Sequence, residues 1–238
     1  LMTERRPNDA YSIGNRLLQA AAVLFVIASA AAIILVFHAM RRQSLMDAET
    51  QADLILDRNL AIQTYFSHQL KPLWFASGGA ETDANRFEPM RASSTYAVRE
   101  INAYFSRLSN RPYDYKERAI NARSQDNEAD AYEQNFIADL NADPDLKKRS
   151  AIRKLDGAPF FVAMRRGEVM ETACLRCHPP PAAALKERID RYAPERRFGR
   201  TEKEVDSAVF IRIPLSAAYA HIKKTAIGLS ALFVLLLA

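Results

Sequence analysis

The sequence predicts an α+β chain: long helices first, then a small antiparallel sheet, with an apolar helix at each end of the whole. Three observations carry that prediction. Both ends of the 238-residue chain hold long apolar runs. Through the first half, apolar positions recur in steps of three and four, the helical period. In the second half they come as short β-branched and aromatic runs next to Asp-Gly or Arg-Gly, the pattern of strands and hairpin turns. The composition, 49% hydrophobic and 26% charged, excludes a disordered or collagen-like chain. Two cysteines exclude a disulfide scaffold, and seven glycines argue against a fold of many tight hairpins.

The ends come first. Between Ala20 and Phe37 only Ser29 is not apolar. A helix over that run rises roughly 27 Å, and Leu17–Met40 is longer, enough to cross a bilayer. The alternative is a cleaved signal peptide. Its apolar core is usually about 7–15 residues and leads to a small-residue cleavage site. Here His38, Met40, Arg41 and Arg42 close the run, which favours an uncleaved anchor. Residues 1–16 are then a cytoplasmic tail and 17–40 a first span. A second apolar run, Ala226–Ala238, follows Lys223 and Lys224. It reads as the start of a second span, over 223–238, in a protein that continues beyond it. A short amphiphilic tail packed on the domain is the alternative. Orientation stays open on charge, because Arg5, Arg6 and Arg16 before the first span balance Arg41, Arg42 and Arg58 after it.

Between the spans, 41–222 form the central domain. Leu45, Ala48, Ala52, Ile55, Ile62 and Phe66 continue a helix out of the first span, with Asn59 interrupting the stripe and Pro72 at its end. Such a stripe is either a seam between two copies or a face packed on its own domain. Ala97, Val98, Ile101, Tyr104, Phe105 and Leu108 form a second helical face, capped by Ser93 or Ser94. Ala129, Tyr132, Phe136, Ile137 and Leu140 form a third, after cap candidates Ser124 and Asp126, and Asn141-Ala142-Asp143-Pro144 breaks it. Strands are expected over Ala151–Leu155, Pro159–Met164 and Ala208–Pro214, with turns at Asp156-Gly157 and Arg166-Gly167. A helix is expected over Ala182–Tyr192. Charges are interleaved, with no basic stripe carrying aromatics, so nucleic acid is not an expected partner.

One motif carries chemistry. Cys174-Leu175-Arg176-Cys177-His178 is a C-x-x-C-H, the pattern of covalent haem c attachment. Two thiols at that spacing reach both vinyl groups of one haem, and the adjacent imidazole can turn under the ring onto iron. Structural zinc would need a fourth ligand with its own spacing, and His38, His68 and His221 are isolated from one another. A redox C-x-x-C would follow a βαβ unit, and a plain disulfide leaves His178 unexplained. Haem c is attached outside the cytoplasmic membrane, which places the central domain in the periplasm and the chain in a bacterial inner membrane.

The motif, the following Pro179-Pro180-Pro181-Ala182-Ala183, then Arg191-Tyr192, Phe198-Gly199-Arg200 and Val205–Pro214 resemble one family. So do Leu70-Lys71-Pro72, Tyr113-Asp114-Tyr115-Lys116-Glu117, Asn121 and the Asp156-Gly157 turn. It is the family of single-haem c-type extracytoplasmic sensor domains with a PAS-like fold. These are input domains of bacterial transmembrane histidine kinases, diguanylate cyclases and chemoreceptors. The resemblance covers roughly residues 45–217 and implies one covalent haem c, with Cys174 and Cys177 as thioethers and His178 as proximal ligand. Some members place a cysteine from the N-terminal helix on the iron. This chain has no third cysteine, and His68 is the candidate in its place, sharing a helical face with Ala61, Thr64 and Tyr65. Met90, Met164, Met170 or an open iron position are the alternatives. Phe160, Phe161, Met164, Tyr192 and Phe198 are candidate pocket residues, and Arg176 and Arg200 candidate propionate partners, with Arg196 and Arg197 close by in sequence.

The expected function is a redox or diatomic-gas sensor. It would signal as a homodimer through both spans to a cytoplasmic output domain in cis, in the manner of a two-component system. No nucleophile–base pair or phosphate loop points to an enzyme. The alternatives are a membrane-anchored cytochrome for electron transfer, and a small-molecule pocket in which haem is structural.

Overall fold

A computed structural model describes residues 7–76, 93–109, 112–167, 169–170, 175, 179–180, 182, 196 and 198–237, with side chains from residue 13 and without those of 74 and 75. Its helices are α1 (Pro7–Tyr65), α2 (Lys71–Ala76), α3 (Ser94–Leu108), α4 (Ala131–Ala142) and α5 (Ser216–Leu237). Its strands are β1 (Asp114–Ala119), β2 (Lys148–Leu155), β3 (Ala158–Arg166) and β4 (Ser207–Pro214). The α+β class is therefore as expected. The expected helix over Ala182–Tyr192 lies outside the described residues except for Ala182.

The chain divides into two compact units, Leu1–Asp47 with Leu215–Ala238, and Ala48–Pro214. In the first unit, the apolar parts of α1 and α5 meet through Phe25 and Phe233, edge to face at 6.1 Å, and through Arg41, 5.6 Å from the Tyr219 ring centroid. Leu24 and Leu235 are 67% and 74% exposed, and both helices are long and apolar enough to cross a membrane.

The second unit is built on a four-stranded antiparallel sheet in the order β1-β4-β3-β2. Asp156 and Gly157, at φ 48° and 81°, close the β2–β3 hairpin in the left-handed conformation that such a two-residue turn requires. Arg166-Gly167 is not a hairpin turn, contrary to the sequence expectation. The β3 partner β4 begins only at Ser207, so 167–206 form an excursion between adjacent strands. Gly167 serves a close approach instead. Its N–H donates to Ser207 O at 3.2 Å, and a Cβ there would lie 2.6 Å from that oxygen.

Strand β1 is a second correction, because it precedes α4 and breaks the helices-then-sheet order. Its sequence, Asp-Tyr-Lys-Glu-Arg-Ala, carries charge on both faces, so no apolar alternation marks it. Helix α4 begins after Asp130, not Ser124 or Asp126. Asp130 accepts from the Glu133 N–H at 2.9 Å, and Glu133 Oε2 accepts from the Asp130 N–H at 3.0 Å, a reciprocal capping box. Residues Gln125–Asn127 form a 3₁₀ turn. Ser93 caps α3 as expected, its Oγ accepting from the Tyr96 N–H at 3.1 Å.

The two sheet faces are covered differently. Helix α4 lays Phe136, Ile137 and Leu140 on Val162, Met164, Ala208 and Phe210, all buried. On the other face, α1 is tied by Asp53 to Lys148 and by Asp57 to Arg165 at 2.6 Å. Its stripe of Ala48, Ala52, Ile55 and Phe66 is buried within the chain, and Asn59 is buried among them. These four positions of the stripe are thus packed on their own chain, while Leu45 and Ile62 are half-buried. Pro72 does not end this helix. Phe66–Leu70 widen into a π turn, with the Lys71 N–H donating to Phe66 O, and α2 continues to Ala76. A proline has no N–H for the carbonyl four residues back and would collide with it, and the wider turn relieves that collision.

Burial disfavours the charged Asp130 carboxylate, but the Glu133 N–H, the Arg153 guanidinium and the Tyr132 N–H outweigh it and hold the carboxyl below its ordinary range. A carboxyl lowered on folding stabilises the fold above its unfolded value and loses that contribution as pH falls through the folded value. Asp130→Ala should therefore cost about 1 kcal/mol at neutral pH. The difference from wild type should shrink as pH falls below about 4. Urea unfolding across pH tests this, and a difference independent of pH would contradict it.

Candidate functional site

Cys174, Arg176, Cys177, His178, Tyr192, Met90 and Arg197 lie outside the described residues. Residues 167, 169–170, 196 and 198–206 describe the two roots of the excursion that carries the motif. In the outgoing leg Val169 bridges Val205, and the Met170 N–H donates to Glu204 O at 3.0 Å. The Lys203 N–H returns a bond to Met170 O at 2.8 Å. Met170 is buried there.

The returning leg docks on the turn that follows β1. Arg200 donates to Ile120 O at 2.8 Å and to Glu204 Oε1 at 2.7 Å, and its Nε lies 3.6 Å from the buried Asp206 carboxylate. Arg196 donates to Ala122 O at 2.7 Å and sits 3.6 Å from Glu128. The Arg123 guanidinium lies 5.6 Å from the centroid of the Phe198 ring. Glu128 in turn accepts from the N–H groups of Asn121 and Ala122, each at 2.9 Å, which holds Asn121 at φ 54°. The Gly199 N–H reaches Pro179 O at 2.9 Å, so the residue directly after His178 is tied to this clamp. Gly199 sits at φ 68°, a conformation that favours glycine. Burial opposes ionisation of Glu204, but the Thr201 N–H and Arg200 outweigh it and keep its carboxyl below the usual range.

The expected pocket residues do not share one place. Side chains on a strand alternate between faces. Met164 is fully buried in the α4 core, and Phe160 packs against that core, whereas Phe161 points to the α1 side. Phe160 also lines a cleft of about 600 Å³ with Tyr113, Arg212 and Pro214. Arg200 is engaged by Ile120, Glu204 and Asp206, so its guanidinium has a structural task in the clamp.

His68 stands exposed in the π turn, at a depression of about 510 Å³ that it lines with Asp57, Leu60, Ala61, Thr64, Tyr65 and Gln69. Ala61, Thr64 and Tyr65 are the neighbours expected from helical spacing. Phe66 is turned into the core, so His68 is presented without disturbing packing. Among the described residues no group of three or more His, Cys, Asp and Glu could hold a metal ion.

Sequence reasoning missed the buried polar side chains on the α1 side of the sheet. Glu117 accepts from Ser207 Oγ at 2.8 Å beside the root of the excursion. Asn59, Gln63 and Asn102 are also buried there. The signal was present: Asn59 and Gln63, four apart, sit among the apolar positions of one helix face.

The profile of the Tll0287-like family matches residues 41–214, and the chain belongs to that family. Among solved structures, the cyanobacterial haem protein Tll0287 matches at 13% identity with a TM-score of 0.49. That match covers 71% of this chain and 95% of the other. No curated protein matches the chain in sequence.

Removing the clamp should be costly. Arg200→Met leaves the buried Asp206 without its guanidinium and should lower stability by about 2–4 kcal/mol. Proteolytic cleavage within 167–206 should accelerate in the same variant. Gly167→Ala, which forces a Cβ against Ser207 O, should cost about 1–3 kcal/mol. Denaturant unfolding and limited proteolysis measure both, and wild-type behaviour of either variant would show that its contact is dispensable.

Proposed function

We propose that this Tll0287-like protein is a membrane-anchored haem c sensor. It would face the periplasm with Ala48–Pro214 and take a redox change or a diatomic gas as input. One observation carries the reading: a C-x-x-C-H lies inside the family-matched span, on an excursion whose flanks are clamped to the sheet. Cys174 and Cys177 would form the thioethers, and His178 would hold the iron from one side. His68 is the candidate for the other side, because its imidazole is accessible. When bound, the haem supplies an iron that can change oxidation state and exchange a ligand.

The exposed apolar faces of α1 and α5 support two membrane spans. Thioether attachment outside the cytoplasm would put residues 1–16 inside. His68 lies in the π turn directly continuous with α1, which runs unbroken back to Pro7. A change in what holds His68 is therefore felt first by that helix. The Asp53–Lys148 and Asp57–Arg165 pairs that hold α1 are partly exposed and can exchange with water. A second copy and a cytoplasmic output domain in cis would complete the signalling path. The chain itself would act as an input and not as an enzyme.

Expression with a periplasmic haem c maturation system tests the reading. Wild type should retain haem through denaturing electrophoresis, and Cys174→Ala with Cys177→Ala should not. His68→Ala should change the spectrum of the iron and admit carbon monoxide more readily. An unchanged spectrum would remove His68 as a ligand, and absence of covalent haem in wild type would sink the proposal. A protein that refuses every diatomic gas yet exchanges electrons rapidly with a soluble cytochrome would favour electron transfer.

A further inference from the structure

On the α1 side of the sheet, α1 and α3 meet through polar side chains. Asn59 is 2%, Asn102 5% and Gln63 7% exposed. Asn102 is fully engaged. Its Nδ2 donates to Asn59 Oδ1 at 3.0 Å and to Val98 O at 2.8 Å. Its Oδ1 accepts from Arg58 at 2.6 Å and from the Tyr113 hydroxyl at 3.0 Å. Arg58 also donates to Asn59 Oδ1, at 3.1 Å. Two donors aimed at that oxygen settle which way the Asn59 amide lies.

Asn59 Nδ2 must then point elsewhere, and it is buried without a hydrogen-bond partner. So is Gln63 Nε2, one turn further along the same face, and so is Arg58 Nε. The Arg58 guanidinium lies 4.1 Å from the Phe105 ring centroid. Among the described residues no carboxylate pairs with Arg58, since the neighbouring Asp57 is taken by Arg165. These unmatched groups are all donors, and the one charge among them is positive, while the Glu117 carboxylate buried on the same side of the sheet accepts from Ser207. Each buried donor without an acceptor costs about 1–3 kcal/mol. A water could satisfy one or two of them but would leave the guanidinium uncompensated. A cation would be repelled. A carboxylate supplies two acceptor oxygens and the missing charge together.

We propose that Arg58, Asn59 and Gln63 form a carboxylate-binding site closed over by α3. The carboxylate is either a free small acid or a propionate of the haem, and in the second case the inference rests on the function proposed above. The full chain in detergent micelles is titrated with sodium acetate and sodium succinate, against sodium chloride at equal ionic strength. Wild type and the Cys174→Ala, Cys177→Ala double variant are compared by thermal unfolding.

If the acid is free, the unfolding temperature rises saturably with acetate or succinate in both proteins. The apparent affinity then falls about tenfold or more in Arg58→Met. Gln63→Leu weakens it in the same direction without touching the charge, which guards against an Arg58 variant that folds poorly. If the acid is a propionate, neither salt acts beyond chloride on the haem-loaded wild type, whose site is filled, and only the haem-free double variant responds. Both variants then shift the propionate-bending resonance Raman bands of haem-loaded protein, and Arg58→Met lowers its reduction potential. Haem-loaded protein in which neither response appears overturns the site and leaves the sensor reading intact. Haem-free wild type that still responds to acetate or succinate sinks the sensor reading and leaves the site.

Discussion

The carboxylate of Glu133 ties the domain together. It is almost fully buried at the start of α4, where Oε2 completes the capping box with the Asp130 N–H. Oε1 accepts from Arg212 of β4 at 2.8 Å. Arg118 of β1 and Arg153 of β2 lie 3.7 and 3.9 Å away. One side chain thus fixes where a helix begins and how it lies on three strands. A buried charge is tolerated only when it is paired and hydrogen-bonded. Here the pairing comes from strands far apart in sequence, so helix start and strand register are satisfied together or not at all. Arg166 does the complementary task at the other end of α4, donating to the carbonyls of Leu140, Asp143, Pro144 and Leu146.

That anchoring commits one sheet face to packing. Phe136, Leu140, Met164 and Phe210 fill it beside the buried Glu133 and its strand arginines. The opposite face is built on other terms. Glu117, Asn59, Gln63 and Asn102 are buried there, and α1 is held partly by ion pairs. Phe161, Val209, Ile211 and Ile213 are buried on the same face, so these polar groups sit in an apolar setting. The excursion bearing Cys174–His178 is rooted at Gly167 and Ser207, beside Glu117 on this face. The Arg58 cluster belongs to α1, which covers it, and His68 to the π turn that follows.

Several elements were legible from local pattern alone. The β2–β3 hairpin followed from two β-branched runs around Asp-Gly, and α3 followed from its stripe and Ser93. Both rest on interactions a few residues apart, which a linear reading can see. Strand β1 was not legible, because its pairing with β4 joins Asp114 to Arg212 and Ala119 to Ser207 across the chain. The cap of α4 was misplaced for a related reason. Ser124 and Asp126 are good cap types, but the capping box with Glu133 and the strand arginines made Asp130 the start. Pro72 was read as a stop, whereas a π turn absorbed it.

By itself, the sequence determined the α+β class, the two apolar ends, and the presence of a C-x-x-C-H that holds both cysteines of the chain. These are matters of composition, period and spacing, which do not depend on what lies opposite. Tertiary structure alone decided that Phe160 and Met164 face away from Phe161, that Arg200 is a clamp, and that Asn59 and Gln63 are buried donors and not gaps in a stripe. Those are statements about partners, and a side chain acquires a partner only when distant segments are brought within a few ångströms of it.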